Sequence, residues 1–323
     1  MKVQCELCPK MCLIEHGQSG DCRVRINIDG VLRTVVYGYP CSIATDPVEK
    51  KPLFHFLPGT KVLSTATAGC NLHCQFCQNW EISQANPEDT PAAFCPPAKL
   101  VEVTKENRCP SLAYTYTDPI VYYEYTYDSA KLAREAGIRN ILVTAGYINP
   151  EPWKKLLKYV DAANIDLKGI TEEFYRDVCS ATLRPVQNAL LIAKASGVWV
   201  EVTNLVIPTL NDKAEHIRQL ARWVRTNLGR ETPLHFSQFY PRYKMRHLPP
   251  TSAKTLDMAR EIGISEGLDY VYIGNILSEA GQTTYCPDCK GVLIKRSGYT
   301  ILQNRLKDGR CPDCKKEIHG VWK

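Results

Sequence analysis

The chain has 323 residues, a formal net charge of +6 and 15 cysteines. That length can bury a full core and carry small appendages besides, while no apolar run reaches the length of a membrane span. The charge admits an anionic partner without demanding nucleic acid. The N-terminus opens Met1-Lys2-Val3-Gln4-Cys5 without an apolar h-region, so no secretory signal is expected and a cytoplasmic location follows. In that compartment the cysteines read as metal ligands and not as a disulfide framework. Most fall in three clusters; Cys41, Cys95, Cys109 and Cys179 stand apart and read as small buried hydrophobes.

The first cluster is Cys5, Cys8, Cys12 and Cys22, with Gly17 and Gly20 turning the chain before the last member. Four thiolates make a complete tetrahedral S4 set, which suits zinc or a second, fully ligated iron–sulfur cluster. The local C-x2-C knuckle, which needs no redox partner, favours zinc slightly. Asp29-Gly30 lies between the alternating runs Arg25–Ile28 and Val31–Val36, a strong two-residue hairpin signal. Residues 1–57 are therefore expected to form a metal-stapled β appendage. Its last stretch, Asp46-Pro-Val-Glu-Lys-Lys-Pro and then Leu53-Phe-His-Phe, reads equally as a surface turn with a buried phenylalanine pair or as a wall near a substrate. No chemical role is assigned to His55.

The second cluster lies in Gly69-Cys70-Asn71-Leu72-His73-Cys74-Gln75-Phe76-Cys77-Gln78-Asn79-Trp80, directly after the strand-like run Lys61–Thr67. Its thiolates are spaced C-x3-C-x2-C. A fully ligated cube of four irons takes four cysteines, so three hold three corners and leave one iron open. A zinc knuckle, which usually wants two C-x2-C pairs, fits less well. The spacing, with Phe76 before the last cysteine, resembles the radical S-adenosylmethionine (SAM) superfamily. The resemblance implies that the open iron on Cys70, Cys74 and Cys77 binds SAM. Asp46-Pro-Val-Glu-Lys-Lys-Pro and Tyr240-Pro-Arg-Tyr-Lys-Met carry it further, to the radical SAM group of the AmmeMemoRadiSam type, which is similar to pyruvate formate-lyase activating enzyme.

Strands and helices alternate from Lys61 to about Asn275 in repeats of βα length. Strands are expected at Leu112–Tyr116, Asn140–Ala145, Ala163–Lys168, Val198–Ile207, Leu234–Phe239 and Tyr270–Gly274, with helices such as Tyr122–Ala136 and Ala214–Leu228 between them. Apolar, β-branched strands of this kind sit in parallel sheets. Six or so units make a partial parallel (β/α)6-type barrel over residues 58–280, the architecture that the resemblance also implies. Site residues then belong at the strand C-termini. Asp118-Pro119 matches the acid–proline end of a Gly-Gly-Glu-Pro loop, but the glycine pair is replaced. Asp166 and Lys168 resemble an Asp-x-Lys motif and share one strand face. The resemblance makes Asp118, Thr144, Asp166, Lys168 and Gln238 the SAM candidates; Ser237 could serve in place of Gln238.

The third cluster is the repeated Cys286-Pro-Asp-Cys289 and Cys311-Pro-Asp-Cys314, two knuckles that read as a zinc ribbon over residues 281–323. Its many basic residues read as a solvated face, with RNA or acidic-protein docking the less favoured alternative. Taken together, the resemblance implies a radical SAM oxidoreductase. With a [4Fe-4S] cluster, and electrons from a flavodoxin or ferredoxin, it would cleave SAM to a 5′-deoxyadenosyl radical for hydrogen abstraction, as glycyl-radical-enzyme activases do. Radical modification of a small molecule, peptide or RNA, and an inactive zinc-ribbon binding protein, are the alternatives.

Overall fold

A computed structural model describes all residues from 1 to 323. The appendage opens with the short pair β1 (Val3–Gln4) and β2 (Leu13–Ile14), followed by the hairpin β3 (Arg25–Ile28) and β4 (Val31–Thr34). The hairpin turns where the sequence places it. Asp29 and Gly30 both have positive φ, 52° and 84°, as a two-residue turn between right-twisted strands requires.

One eight-stranded sheet forms the body. Its strands are β5 (Ser42–Pro47), β6 (Lys61–Ala66), β7 (Ser111–Tyr114), β8 (Arg139–Thr144), β9 (Ala162–Asp166), β10 (Trp199–Val206), β11 (Leu234–Gln238) and β12 (Val271–Gly274). They lie side by side in chain order. From β6 onward every pairing is parallel, and β5 pairs antiparallel with β6. Residues 42–47, expected as the end of the appendage, are thus the first edge strand of the body. Helices such as Pro97–Glu106, Tyr123–Glu135, Pro150–Leu157, Leu183–Ala195, Ala214–Leu228 and Ala253–Ser265 connect the parallel strands. The first and third of these open on proline, which has no amide to leave unpaired there. They pack on the outer face through Leu100, Tyr125, Trp153, Leu190, Leu220 and Leu256, all buried. The sheet curls without closing, since β5 and β12 each pair on one side alone, giving the expected partial barrel.

Strand alternation sorts the interior into layers. At the strand starts Val62, Ala113, Ile141 and Ala162 pack with Leu53 and Phe56 of the segment after β5, which plugs the bottom. Above them lies Glu201, fully buried, whose carboxylate accepts four hydrogen bonds. These come from the backbone amides of Phe54 and His55, from Trp199 Nε1 and from His235 Nε2, all at 2.7–3.0 Å. The same plug carries the C-terminal ribbon, made of β13 (Thr284–Tyr285), β14 (Val292–Ser297) and β15 (Thr300–Asn304). The Leu57 amide donates to the Val321 carbonyl and the Val321 amide to the His55 carbonyl, Arg296 donates to the Phe54 carbonyl at 2.7 Å, and His55 Nδ1 donates to the His319 carbonyl at 2.7 Å.

His55 is therefore structural. Its Nε2 accepts from the Tyr272 hydroxyl at 2.6 Å, which requires the neutral ring. Burial pulls its pKa down to about 4 from 6.5. Between those values the unfolded chain binds a proton that the folded chain refuses, so stability is full above about pH 6.5 and falls as pH drops toward 4. A loss of up to about 3 kcal/mol is expected across that window, read by chemical denaturation at a series of pH values. His55→Asn should flatten the slope there, and an unchanged slope would remove His55 from this role.

Candidate active site and metal centres

The C-terminal ends of the strands surround one cavity of about 970 Å³. Cys70, Cys74 and Cys77 line it together, in the loop that leaves β6. That loop is held by other segments of the barrel: His73 and Gln75 donate backbone hydrogen bonds to the carbonyls of Cys179 and Val178, both 3.0 Å, and Gln75 accepts from the Lys244 amide. Cys77 Sγ lies 3.1 Å from Ser83 Oγ, and the Leu72 amide donates to Cys70 Sγ at 3.4 Å. Three thiolates facing one cavity, with N–H and O–H groups turned toward them, fit an iron–sulfur cluster. Cys179 is buried as expected, but it is also a neighbour of the site, since its carbonyl accepts from the amide of His73, next to Cys74.

The SAM candidates are placed unevenly. Asp118 lines the cavity, yet its carboxylate is already engaged. It accepts from Thr144 Oγ1 at 2.8 Å, the Ile120 amide at 3.1 Å and the Ala145 amide at 2.9 Å. Burial pushes its pKa up against those three bonds. Asp118 and Thr144 thus tie the end of β7 to the end of β8. Asp166 and Lys168 both line the cavity, as alternation predicts, and pair at 2.7 Å. Burial alone would lower the Lys168 pKa, but Asp166 and the sulfurs of Cys74 and Cys179 outweigh it and keep the ammonium charged. Lys168 Nζ also lies 5.7 Å from the centre of the Phe76 ring.

Gln238 does not line the cavity. Its amide nitrogen donates to the Thr251 carbonyl at 2.7 Å, on the outward side of β11, and Ser237 is the residue of that strand which faces the cavity. Thr203 was missed as a candidate. It shares the inward face of β10, lines the cavity and has a buried hydroxyl without a partner. Alternation along Glu201, Thr203 and Leu205 was the available signal.

The charged run from Asp46 at the end of β5 to Lys51 supplies the opposite wall. Asp46 accepts from Lys50 at 2.8 Å, Lys51 at 2.7 Å, Ser64 at 2.8 Å and the Tyr116 hydroxyl. Burial would raise this carboxyl, but those donors hold it well below the carboxylate range. Lys50, Lys51 and Tyr116 all border the cavity, so the run is cavity wall and not a surface turn. At the mouth stand Tyr240, Leu277 and Tyr299, all exposed, the last from the ribbon hairpin.

The ribbon cysteines gather as a set. Cys286 and Cys314 sulfurs lie 3.5 Å apart, Cys289 and Cys311 3.6 Å apart, and all four fall within 4.8 Å of one another. One tetrahedral ion with bonds of about 2.3 Å spaces its four sulfurs by about 3.8 Å. Each knuckle closes alike, with Lys290 and Lys315 in the left-handed region and their amides donating to the Cys286 and Cys311 carbonyls. Much of the ribbon's basic charge is paired, in Arg305–Asp313, Lys316–Asp288, Lys295–Glu279 and Lys323–Asp308. The four N-terminal cysteines line a different, small cavity.

Comparison with known proteins agrees with this geometry. The description of the Radical SAM superfamily matches residues 64–224. An uncharacterized protein of Methanocaldococcus jannaschii is 50% identical over 319 residues, covering 98% of this chain and 95% of that one. The pyruvate formate-lyase-activating enzyme of Clostridium pasteurianum is 25% identical over 160 residues, 49% of this chain and 66% of that enzyme. Among solved structures, a radical SAM methyltransferase from Sphaerobacter thermophilus superposes with a TM-score of 0.53 at 15% identity, covering 68% of each chain. No helix is long and apolar enough to cross a membrane.

Cys311→Ala should release about one metal ion per chain and lower the unfolding temperature, leaving metal bound elsewhere unchanged. Elemental analysis beside a thermal melt reads both, and a full complement of metal in the variant would dissolve the ribbon site.

Proposed function

The chain belongs to the radical SAM superfamily, and we propose that it is an activating-enzyme-like oxidoreductase that makes a 5′-deoxyadenosyl radical to abstract hydrogen from a glycine of a partner protein. One observation carries the reading: Cys70, Cys74 and Cys77 line a single cavity together with Lys168, Asp166, Thr203 and Ser237, and its mouth is open. When bound, a [4Fe-4S] cluster and SAM supply one-electron cleavage of the sulfonium to methionine and the radical. The three cysteines would hold the cluster. Lys168, kept charged and facing the cavity, suits the SAM carboxylate. Ser237 and the unpartnered Thr203 hydroxyl offer hydrogen bonds to SAM's polar groups.

The glycine target rests on similarity to the Clostridium pasteurianum activating enzyme and on the exposed rim of Tyr240, Leu277 and Tyr299, which leaves room for a peptide loop. A flavodoxin or ferredoxin would supply the electron. Zinc suits the ribbon quartet by spacing and ligand type. Residues 1–57, 58–280 and 281–323 would act as metal-bound appendage, catalytic body and ribbon, with β5 of the first built into the second.

Anaerobically reconstituted protein with dithionite should convert SAM to 5′-deoxyadenosine and methionine. Cys74→Ala should lose that conversion by at least about a hundredfold, the upper end of what losing a mere outer-shell partner of a metal site costs. Retained conversion would reject the trio. A partner protein labelled with deuterium at glycine should pass the label into 5′-deoxyadenosine; label arriving only from a small molecule would redirect the substrate.

A further inference from the structure

We propose that Cys5, Cys8, Cys12 and Cys22 hold a second iron–sulfur cluster, in a site of their own beside the core trio, and do not hold zinc. This goes beyond the catalytic reading and uses none of its cysteines. The four cysteines line one cavity together with Arg25 and Asn71. Arg25 is 8% and Asn71 1% exposed. Arg25 Nε is buried with no hydrogen-bond partner, although the two terminal nitrogens of the same group are spent on Glu124 at 2.7 and 2.8 Å. A buried N–H left unpaired is costly, so the site holds a donor that awaits an acceptor. The Arg25 side chain lies beside Cys5 and that of Asn71 beside Cys8. A cluster's bridging sulfides add acceptor atoms for the orphaned donor beyond the four thiolates, which are all that a single zinc ion would leave it.

Spacing separates the two metals, and the chain contains its own standard. The ribbon sulfurs stand 3.5 and 3.6 Å apart in a group that falls wholly within 4.8 Å, as one shared ion requires. The N-terminal sulfurs form no such tight group; they are arranged around a cavity. Thiolates that each bind a different iron of a cube stand farther apart than thiolates that share one ion. The site is also fixed against the core. Gly69 has φ +89°, and a Cβ there would lie 2.6 Å from both the Cys22 carbonyl and Val24 Cγ1. Asn71, which follows Cys70, anchors to the Tyr147 carbonyl at 2.7 Å. One loop thus borders both sulfur sites, and the preference for zinc drawn from the local knuckle gives way to the three-dimensional arrangement.

The test uses the full chain, loaded anaerobically with ferrous iron and sulfide and analysed for iron, sulfide and zinc with Mössbauer spectroscopy. The native chain should hold about eight irons in two sites. The triple variant Cys70→Ala/Cys74→Ala/Cys77→Ala should keep about half of them, with equal sulfide and a cluster spectrum. Cys8→Ala/Cys12→Ala should lose the other half. A native chain with iron for one cluster and zinc for two sites overturns the proposal, whether or not the variants fold. So does a folded triple variant without iron. Four irons kept by the triple variant, alongside a native chain that cleaves no SAM, would sink the catalytic reading and leave this one standing.

Discussion

The Glu201 carboxylate is the constraint on which the arrangement depends. A fully buried acid is tolerable only when its lone pairs are filled. Here the donors come from three places: the plug at Phe54 and His55, the neighbouring strand at His235, and Trp199 of its own strand. Satisfying one side chain therefore positions the segment that stoppers the barrel. That segment in turn receives Arg296, His319 and Val321 of the ribbon. The ribbon's attachment and the barrel's closed floor are one structure.

With the floor sealed by apolar side chains and one satisfied acid, the polar groups collect at the other end. Asp118 spends its carboxylate on joining two strand ends, and Asp46 spends its own on two lysines, a serine and a tyrosine. What remains free to meet a ligand is smaller than the list of polar residues suggests, and includes the three sulfurs, the Lys168 ammonium held beside Asp166, and the hydroxyls of Thr203 and Ser237. The ribbon contributes to the mouth through Tyr299, so a domain bound at the floor also reaches the rim.

Local signals carried far. The parallel body, its helices and the Asp29-Gly30 turn were legible because each depends on neighbours in sequence: apolar period and turn residues. The trio was legible for the same reason, as were the paired knuckles. Gln238 shows the limit of motif reading, because its strand parity turns it outward and presents Ser237 in its place. Residues 42–47 show another limit, since an edge strand is defined by the partner it finds, β6, and not by its own composition.

The sequence by itself determined the class of chemistry, because thiolate count and spacing are written along the chain, and it determined the βα order of the body. Only the tertiary structure decided which polar groups are spent on the fold and which are left for a ligand. Hydrogen bonds between residues far apart in the chain, such as those of Glu201, Asp46 and Asp118, satisfy or exhaust a side chain without leaving any mark in its local sequence. The same holds for the two cysteine quartets: both read as S4 sets on paper, and only the packing of Arg25, Asn71 and Gly69 around one of them makes it unlike the other.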